Sequence, residues 1–134
     1  MCAQHRLDGV RVLVVDDSRD TADMLAHAFS FVGASPATAE SGAEALMLAA
    51  AHTFDVVLSD LSMPIMDGFE LLRRLRALPA CAHIPVVALT GVARADDLER
   101  ARREGFAAQL TKPIDLETLI GVVRTVLNRP ADNR

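Results

Sequence analysis

Five short segments of the chain are rich in apolar residues, and a longer amphipathic segment follows each of them. The first, third and fourth are almost uninterrupted apolar runs, such as VRVLVV and IPVVAL. Runs of this kind predict strands that are buried on both faces of a sheet. The second and fifth segments are shorter or more polar, which predicts edge strands. The predicted strands are Val10–Val15, Pro36–Ala39, Asp55–Ser59, Ile84–Leu89 and Ala107–Leu110.

The segments between these strands carry signals for the start and the end of helices. Ser41 with Glu44, and Asp67 with Glu70, have the spacing of a capping box, which satisfies free N–H groups at a helix start. Gly33 stands where the first helix is expected to end. The predicted helices, with their capping residues, are Ser18–Val32, Ser41–Ala51, Asp67–Leu78, Arg94–Glu104 and Asp115–Asn128.

Strands and helices that alternate in one small domain predict a parallel sheet with helices on both faces. Right-handed crossovers and the weak second and fifth strands favour the flavodoxin-like strand order 2-1-3-4-5. The sequence therefore predicts a doubly wound α/β domain with five strands and five helices over residues 8–128. Residues 1–7 and 129–134 are expected to be short flexible ends.

Composition and charge narrow the class of protein. The 134 residues carry a formal net charge of -4, and only 4% of them are aromatic, with no Trp or Tyr. These values argue against nucleic acid as a partner. No apolar run is long enough to cross a membrane and no signal peptide precedes the first strand, so we expect a cytoplasmic protein without membrane contact. Cys2 and Cys81 lack metal-binding spacing and are expected to be free thiols.

Polar residues follow four of the five predicted strands, at the end where a doubly wound sheet binds its ligands. Asp16 and Asp17 follow the first strand, Asp60 the third, Thr90 the fourth and Lys112 the fifth. Three carboxylates at one edge would repel one another without a cation, and oxygen ligands favour a hard ion, so we predict Mg²⁺. A hydroxyl and the only lysine among 14 basic residues beside that ion suit phosphoryl transfer to a carboxylate.

These residues stand in motifs that resemble the receiver domain of two-component response regulators. The motifs are Asp16-Asp17 after a VLVV strand, Asp60 in SDLSMPIMDG, Thr90 in VVALTG and Lys112 in LTKPID. The resemblance covers about residues 8–127 and is greatest to receivers of hybrid sensor kinases or to stand-alone single-domain regulators.

The resemblance implies a role for each site residue. Asp60 would accept a phosphoryl group from a phosphohistidine on a histidine kinase or a histidine phosphotransfer protein. Thr90 and Lys112 would bind the phosphoryl oxygens, and a cis bond between Lys112 and Pro113 would aim the lysine. The implied Mg²⁺ ligands are Asp16, Asp17, Asp60 and the backbone carbonyl of Ser62.

The function that the resemblance implies is that of a phosphorylation switch, which shifts its conformation for docking of a downstream protein. Such a domain is not an enzyme, although it assists its own phosphorylation and dephosphorylation. The donor would dock on the first helix near Arg19, Asp20 and Asp23, and beside Pro113.

Many receivers have an aromatic residue three positions before the lysine. Here Gln109 stands there, and we expect it to stay at the surface, without an aromatic relay.

Two other functions remain open. A pseudo-receiver would bind partners without being phosphorylated, but such domains usually lose an acidic residue or the lysine, and this chain keeps all five. A Mg²⁺-dependent phosphatase with a haloacid-dehalogenase-like fold would need a second aspartate two residues after Asp60, where Ser62 stands.

The fourth helix is highly charged, and its spacing predicts the ion pairs Asp96–Arg100 and Glu99–Arg103. We interpret its charged side as a face exposed to solvent.

Overall fold

A computed structural model describes residues 7–91 and 95–128, which contain five parallel strands and five α-helices. The strands are β1 (Arg11–Val15), β2 (Ser35–Ala39), β3 (Val56–Asp60), β4 (Val86–Thr90) and β5 (Ala108–Thr111). The helices are α1 (Arg19–Phe31), α2 (Gly42–Ala51), α3 (Gly68–Ala77), α4 (Ala95–Glu104) and α5 (Leu116–Leu127). The strand order is β2-β1-β3-β4-β5, which confirms the predicted flavodoxin-like fold.

The sheet separates two layers of core, because successive side chains of each strand point to opposite faces. Val12 and Val14 belong to the layer under α1 and α5. Leu13 and Val15 belong to the layer under α2 and α3, which also holds Phe106. β3 and β4 are buried at every position, and they are apolar up to the polar residues at their carboxyl ends, Ser59 and Asp60 in β3 and Thr90 in β4.

Most predicted element ends agree with the structure to within two residues, and one predicted boundary is wrong. Leu7 was assigned to a flexible end, but its side chain is buried and its N–H donates to the Val32 carbonyl at 2.8 Å. A single apolar residue gives no periodic signal, so this contact could not be read from the pattern. The predictions for residues 1–6, 94 and 129–134 lie outside the described residues. Cys81 is a buried free thiol, as expected.

The position of α3 fixes the backbone at the end of the central strand. Gly68 begins the helix directly against the last residue of β3, and a Cβ atom there would lie 2.5 Å from the Asp60 carbonyl oxygen. The Gly68 N–H donates to the Leu61 carbonyl at 3.0 Å. Only glycine allows this close approach, which holds Asp60 at the middle of the sheet's carboxyl edge.

Candidate functional site

Three carboxylates meet at the carboxyl edge of the sheet. Asp16 and Asp17 follow β1, and Asp60 ends β3. One oxygen from each of them lies within 4.8 Å of the oxygens of the other two. Asp16 and Asp60 are buried, whereas Asp17 is exposed. The structure thus brings together the three acidic residues that the sequence singled out.

Lys112 joins two of these carboxylates. Its Nζ lies 2.9 Å from Asp16 Oδ2 and 3.3 Å from Asp60 Oδ2. The Lys112 backbone N–H donates to the Thr90 carbonyl at 2.7 Å, which ties the ends of β4 and β5 together. The bond from Lys112 to Pro113 is cis, as the resemblance implied. The one ammonium therefore lies inside the acidic cluster and not at its margin.

The surroundings shift the pKa values of both partners. Burial raises the pKa of Asp60 above its ordinary value, although the Ser62 N–H bond and the Lys112 charge act in the opposite direction. Burial alone would lower the pKa of Lys112, but the hydrogen bond to Asp16 and the charge of Asp60 outweigh it and raise that pKa. The ammonium is thus held in its charged form, and a further positive charge beside Asp60 would stabilise its ionised form.

A cleft of about 650 Å³ opens above Asp60 and collects the remaining predicted residues. Thr90 ends β4 and is buried, while Ser62 is exposed and its N–H donates to Asp60 Oδ1 at 3.2 Å. Thr90, Ser62 and Lys112 all line the cleft together with Asp60. The cleft gives a phosphoryl-sized group access to the buried end of the carboxylate.

One cleft residue, Arg100 of α4, was missed by the sequence analysis. Its guanidinium lies 3.8 Å from the centre of the Phe69 ring, and its Nε lies 2.8 Å from Glu104 Oε2.

The ion pairs of α4 differ from those that the sequence predicts, which are Asp96 with Arg100 and Glu99 with Arg103. The structure instead pairs Arg100 with Glu104, and the carboxylate of Glu99 with the guanidinium of Arg102. An i,i+4 spacing also links Arg100 to Glu104, so spacing alone could not choose between the two carboxylates.

Gln109 differs from its predicted position at the surface. It is half-buried, and its Nε2 donates to the Leu98 carbonyl of α4 at 2.8 Å. The expected cost of burying the amide is offset, because a helix carbonyl accepts its hydrogen bond. Gln109 therefore ties the edge strand β5 to α4.

The donor set of the acidic cluster fits a hard divalent cation. All three side chains offer carboxylate oxygens, the ligand type that Mg²⁺ prefers. Three negative charges and the single Lys112 ammonium leave two negative charges uncompensated. A divalent ion would neutralise that remainder, so the residues present are suited to hold Mg²⁺.

The fold and the site define a class of small α/β domain with an acidic cluster and a lysine at the topological switch point. The sequence profile of the response regulator receiver domain matches residues 12–124. The chain belongs to that family and is a receiver domain of two-component signalling.

Known relatives contain this domain in different settings. An uncharacterised 14.6 kDa protein of Leptolyngbya boryana is 43% identical over 113 residues, which cover 84% of this chain and 86% of that protein. The sensor histidine kinase RcsC of Salmonella typhimurium is 37% identical over 112 residues, but the match spans only 12% of its length. The structure of chemotaxis protein CheY4 of Vibrio cholerae is similar with a TM-score of 0.84 and 33% identity, covering 88% of this chain and 98% of that one.

No helix among residues 7–91 and 95–128 has both the length and the apolar character needed to span a bilayer.

Proposed function

We propose that this receiver domain is a phosphorylation switch in which Asp60 accepts a phosphoryl group from a phosphohistidine, in a reaction that requires Mg²⁺. The observation that carries the proposal is the position of the Asp60 carboxylate. It lies within 4.8 Å of two further carboxylates, with the Lys112 ammonium 3.3 Å away. A nucleophile, a candidate cation site and a fixed positive charge thus lie side by side at the carboxyl edge of the sheet.

In the proposed step, a carboxylate oxygen of Asp60 forms a bond to phosphorus while the bond from phosphorus to the imidazole nitrogen breaks. The nitrogen keeps the electron pair of the broken bond. Neutral histidine leaves because the other ring nitrogen of the phosphohistidine carries a proton before the transfer. Lys112 neutralises a phosphoryl oxygen, and the Thr90 hydroxyl donates a hydrogen bond to another. Mg²⁺, when bound, supplies further charge neutralisation at the phosphoryl oxygens. The proposed ligands are Asp16, Asp17, Asp60 and the backbone carbonyl of Ser62.

Phosphorylation would then act as a switch through the residues that touch the new charge. A phosphoryl group adds about 1.5 to 2 negative charges at neutral pH. Thr90 ends β4, and the chain runs on from it towards α4, so a shift of Thr90 towards the phosphoryl group would be felt at that helix. Coupling free energies of such switches are typically about 1–3 kcal/mol. The phosphoryl group would therefore bias an existing equilibrium and so change the docking of a downstream protein.

The proposed donor is a histidine kinase or a histidine phosphotransfer protein, which meets the domain in the cytoplasm. We propose that it docks on α1 near Arg19, Asp20 and Asp23, and beside Pro113. An apolar surface between α1 and α5 supports this position, since Met24 is 49% exposed and lines a shallow groove with Leu116. The two acidic residues also line this groove, so the surface offers apolar and charged contacts together.

The test is a phosphotransfer profile against the autophosphorylated histidine kinases of the source organism, with the Asp60→Asn variant as control. We expect at least one kinase to label the wild-type domain rapidly when Mg²⁺ is present, and no kinase to label the variant. A kinase that binds the domain without transferring label would favour a pseudo-receiver. Sustained release of phosphate from p-nitrophenyl phosphate would favour a phosphatase.

A further inference from the structure

Ile65, in the loop between β3 and α3, combines a fully exposed apolar side chain with a backbone conformation that isoleucine rarely adopts. Its side chain is fully exposed, at 104% of the reference area, and its φ is +71°. Among the described residues, no other non-glycine residue has a positive φ. The Met66 N–H donates to the Pro64 carbonyl at 2.7 Å, which closes a three-residue γ-turn around Ile65. The positive-φ form of this turn is rare and strained, and β-branched residues avoid it.

The loop is fixed on both sides of Ile65. Met63, before the turn, is buried, with 8% of the residue exposed. After the turn, Met66 packs on Gly42 of α2 so closely that a Cβ atom at Gly42 would lie 2.5 Å from the Met66 sulfur. Ile65 is therefore held outward by a firmly packed loop. Asparagine or glycine would adopt the same φ more readily, so the isoleucine is not explained by the turn.

Ile65 stands in the chain between two residues that line the site cleft, so the loop that carries it forms part of the rim of that cleft. Met63 and Asp67, two residues to either side of it, line the cleft that contains Asp60. A protein that delivers a phosphoryl group to Asp60 has to cover this rim with its own surface. Such a contact would bury the apolar side chain that the free domain leaves in water.

We propose that Ile65 is an apolar anchor for the protein that donates the phosphoryl group, and that it packs against the donor surface beside the phosphohistidine. This inference rests on the proposed transfer to Asp60. The donor is the occupant that the chemistry requires at this rim, because its phosphorus atom has to come within bonding distance of Asp60. A second copy of the chain, or a partner that reads the switched state, is under no such requirement.

The experiment compares two phosphoryl donors on the same variants. The protein donor is the histidine kinase that labels the wild-type domain fastest. The small donor is phosphoramidate, which has the same nitrogen–phosphorus bond and no protein surface. Ile65→Asn suits the positive φ but removes the apolar surface of the side chain. Ile65→Val keeps most of that apolar surface. Met47→Gln is the matched control, because Met47 is also an exposed apolar residue, at 73%, but lies on α2.

We expect Ile65→Asn to lower kcat/KM for the kinase about 10- to 100-fold, as loss of one buried aliphatic side chain implies. Ile65→Val and Met47→Gln should stay within about threefold of wild type, because each leaves most or all of the anchor's apolar surface in place. Labelling by phosphoramidate should be unchanged in all variants. The melting temperature of Ile65→Asn should rise, which would exclude misfolding as the cause of slow transfer.

Three results would overturn the inference while leaving transfer to Asp60 intact. One is an unchanged rate from the kinase to Ile65→Asn. Another is a loss of labelling by phosphoramidate in Ile65→Asn that is as large as the loss with the kinase, which would mean that Ile65 affects the reactivity of Asp60 and not the contact with the donor protein. The third is self-association that Ile65→Asn abolishes without changing transfer, which would make Ile65 a contact between copies. Failure of wild-type Asp60 to be labelled by either donor would instead reject the proposed function, and the anchor with it.

Discussion

At the residue scale, the two aspartates after β1 have different surroundings, and we expect different contributions to Mg²⁺ binding. Both oxygens of Asp16 are engaged, Oδ1 by the Ser18 N–H at 2.9 Å and Oδ2 by Lys112 at 2.9 Å. Asp17 is exposed at the mouth of the cluster. We therefore expect Asp17 to coordinate Mg²⁺ directly and Asp16 to act partly through water.

We predict that Asp17→Ala lowers the affinity for Mg²⁺ about tenfold or more, and further than Asp16→Ala does. A magnesium titration followed by NMR chemical shifts would give both affinities. Circular dichroism should accompany the titration, because Asp16→Ala removes a partner of half-buried Lys112. The opposite ranking, in variants that are both folded, would exchange the roles of the two residues.

Lys112 is a second residue at which the shape of the side chain matters, because its ammonium fits a narrow position in the site. Lys112 places a compact ammonium between two carboxylate oxygens, at 2.9 and 3.3 Å. A guanidinium is broader and has fixed fork geometry, so it cannot occupy the same position. We predict that Lys112→Arg folds and binds Mg²⁺ but loses most of the change in NMR shifts that beryllofluoride causes around β4 and β5. A full response would show that any cation serves there.

Burial of Asp60 also predicts a pH dependence of stability. Its pKa is raised in the folded domain, so the folded state binds this proton more tightly than the unfolded state. Ionised Asp60 therefore opposes folding above its folded-state pKa, and the penalty disappears below the unfolded value, where both states are protonated. Without divalent cations, Asp60→Asn should be more stable than wild type at pH 7, with a gain that shrinks as the pH falls. Urea denaturation of both proteins from pH 7 into the acidic range would measure the difference in their free energies of unfolding. An Asp60→Asn variant that is less stable than wild type at pH 7 would show that ionised Asp60 does not oppose folding.

At the scale of elements, Gly68, at the contact between α3 and β3, and Gly121, inside α5, should respond in opposite directions to replacement by alanine. Gly68→Ala would force a Cβ atom against the backbone of Asp60 and Leu61, which cannot yield as a flexible side chain would. We predict a loss of about 1–3 kcal/mol in the free energy of unfolding. Gly121, inside α5, has open space around the same position, so Gly121→Ala should gain up to about 1 kcal/mol. Thermal or urea unfolding of both variants gives the two changes in unfolding free energy. A loss of similar size in Gly68→Ala and Gly121→Ala would contradict the predicted difference.

The bond between β5 and α4 predicts how firmly that helix is held. Gln109 donates to the Leu98 carbonyl, and a hydrogen bond of this kind contributes about 1 kcal/mol. Gln109→Met keeps the length of the side chain but removes the donor. We predict that amide hydrogen exchange in α4 becomes about fivefold faster in this variant, while exchange in α1 is unchanged. Equal rates in α4 would mean that the bond contributes nothing to its stability.

The elements that the sequence predicts well are those with local signals. Val56–Leu58 of β3 and Val86–Leu89 of β4 read as apolar runs because both strands are buried on both faces. Helix α3 begins directly after Asp67 because the Asp67 side chain accepts the Glu70 N–H. What the sequence did not predict depends on partners in other elements. Gln109 meets the carbonyl of Leu98 on α4, and Arg100 meets a ring on α3. No periodicity encodes such pairs, because they exist only once the helices have packed on the sheet.

At the scale of the whole molecule, the acidic cluster lies at the carboxyl edge of the sheet that separates the two core layers. β1 and β3 send alternate side chains into both layers, and each strand ends in an aspartate of the site or leads directly into one. The ends of β4 and β5 are joined beside them through Lys112 and Thr90. A charge added at Asp60 therefore acts on four of the five strands at one edge, from which a local reaction can affect distant surfaces.

The most direct test of the central claim is to locate the phosphoryl group on the chain. The domain is incubated with acetyl phosphate and Mg²⁺, the acyl phosphate is reduced with borohydride, and the peptides are mapped by mass spectrometry. Our account predicts reduction at Asp60 alone, with none after Mg²⁺ is removed by EDTA and none in Asp60→Asn. Modification of Asp16 or Asp17 in place of Asp60, or undiminished labelling without Mg²⁺, would contradict it.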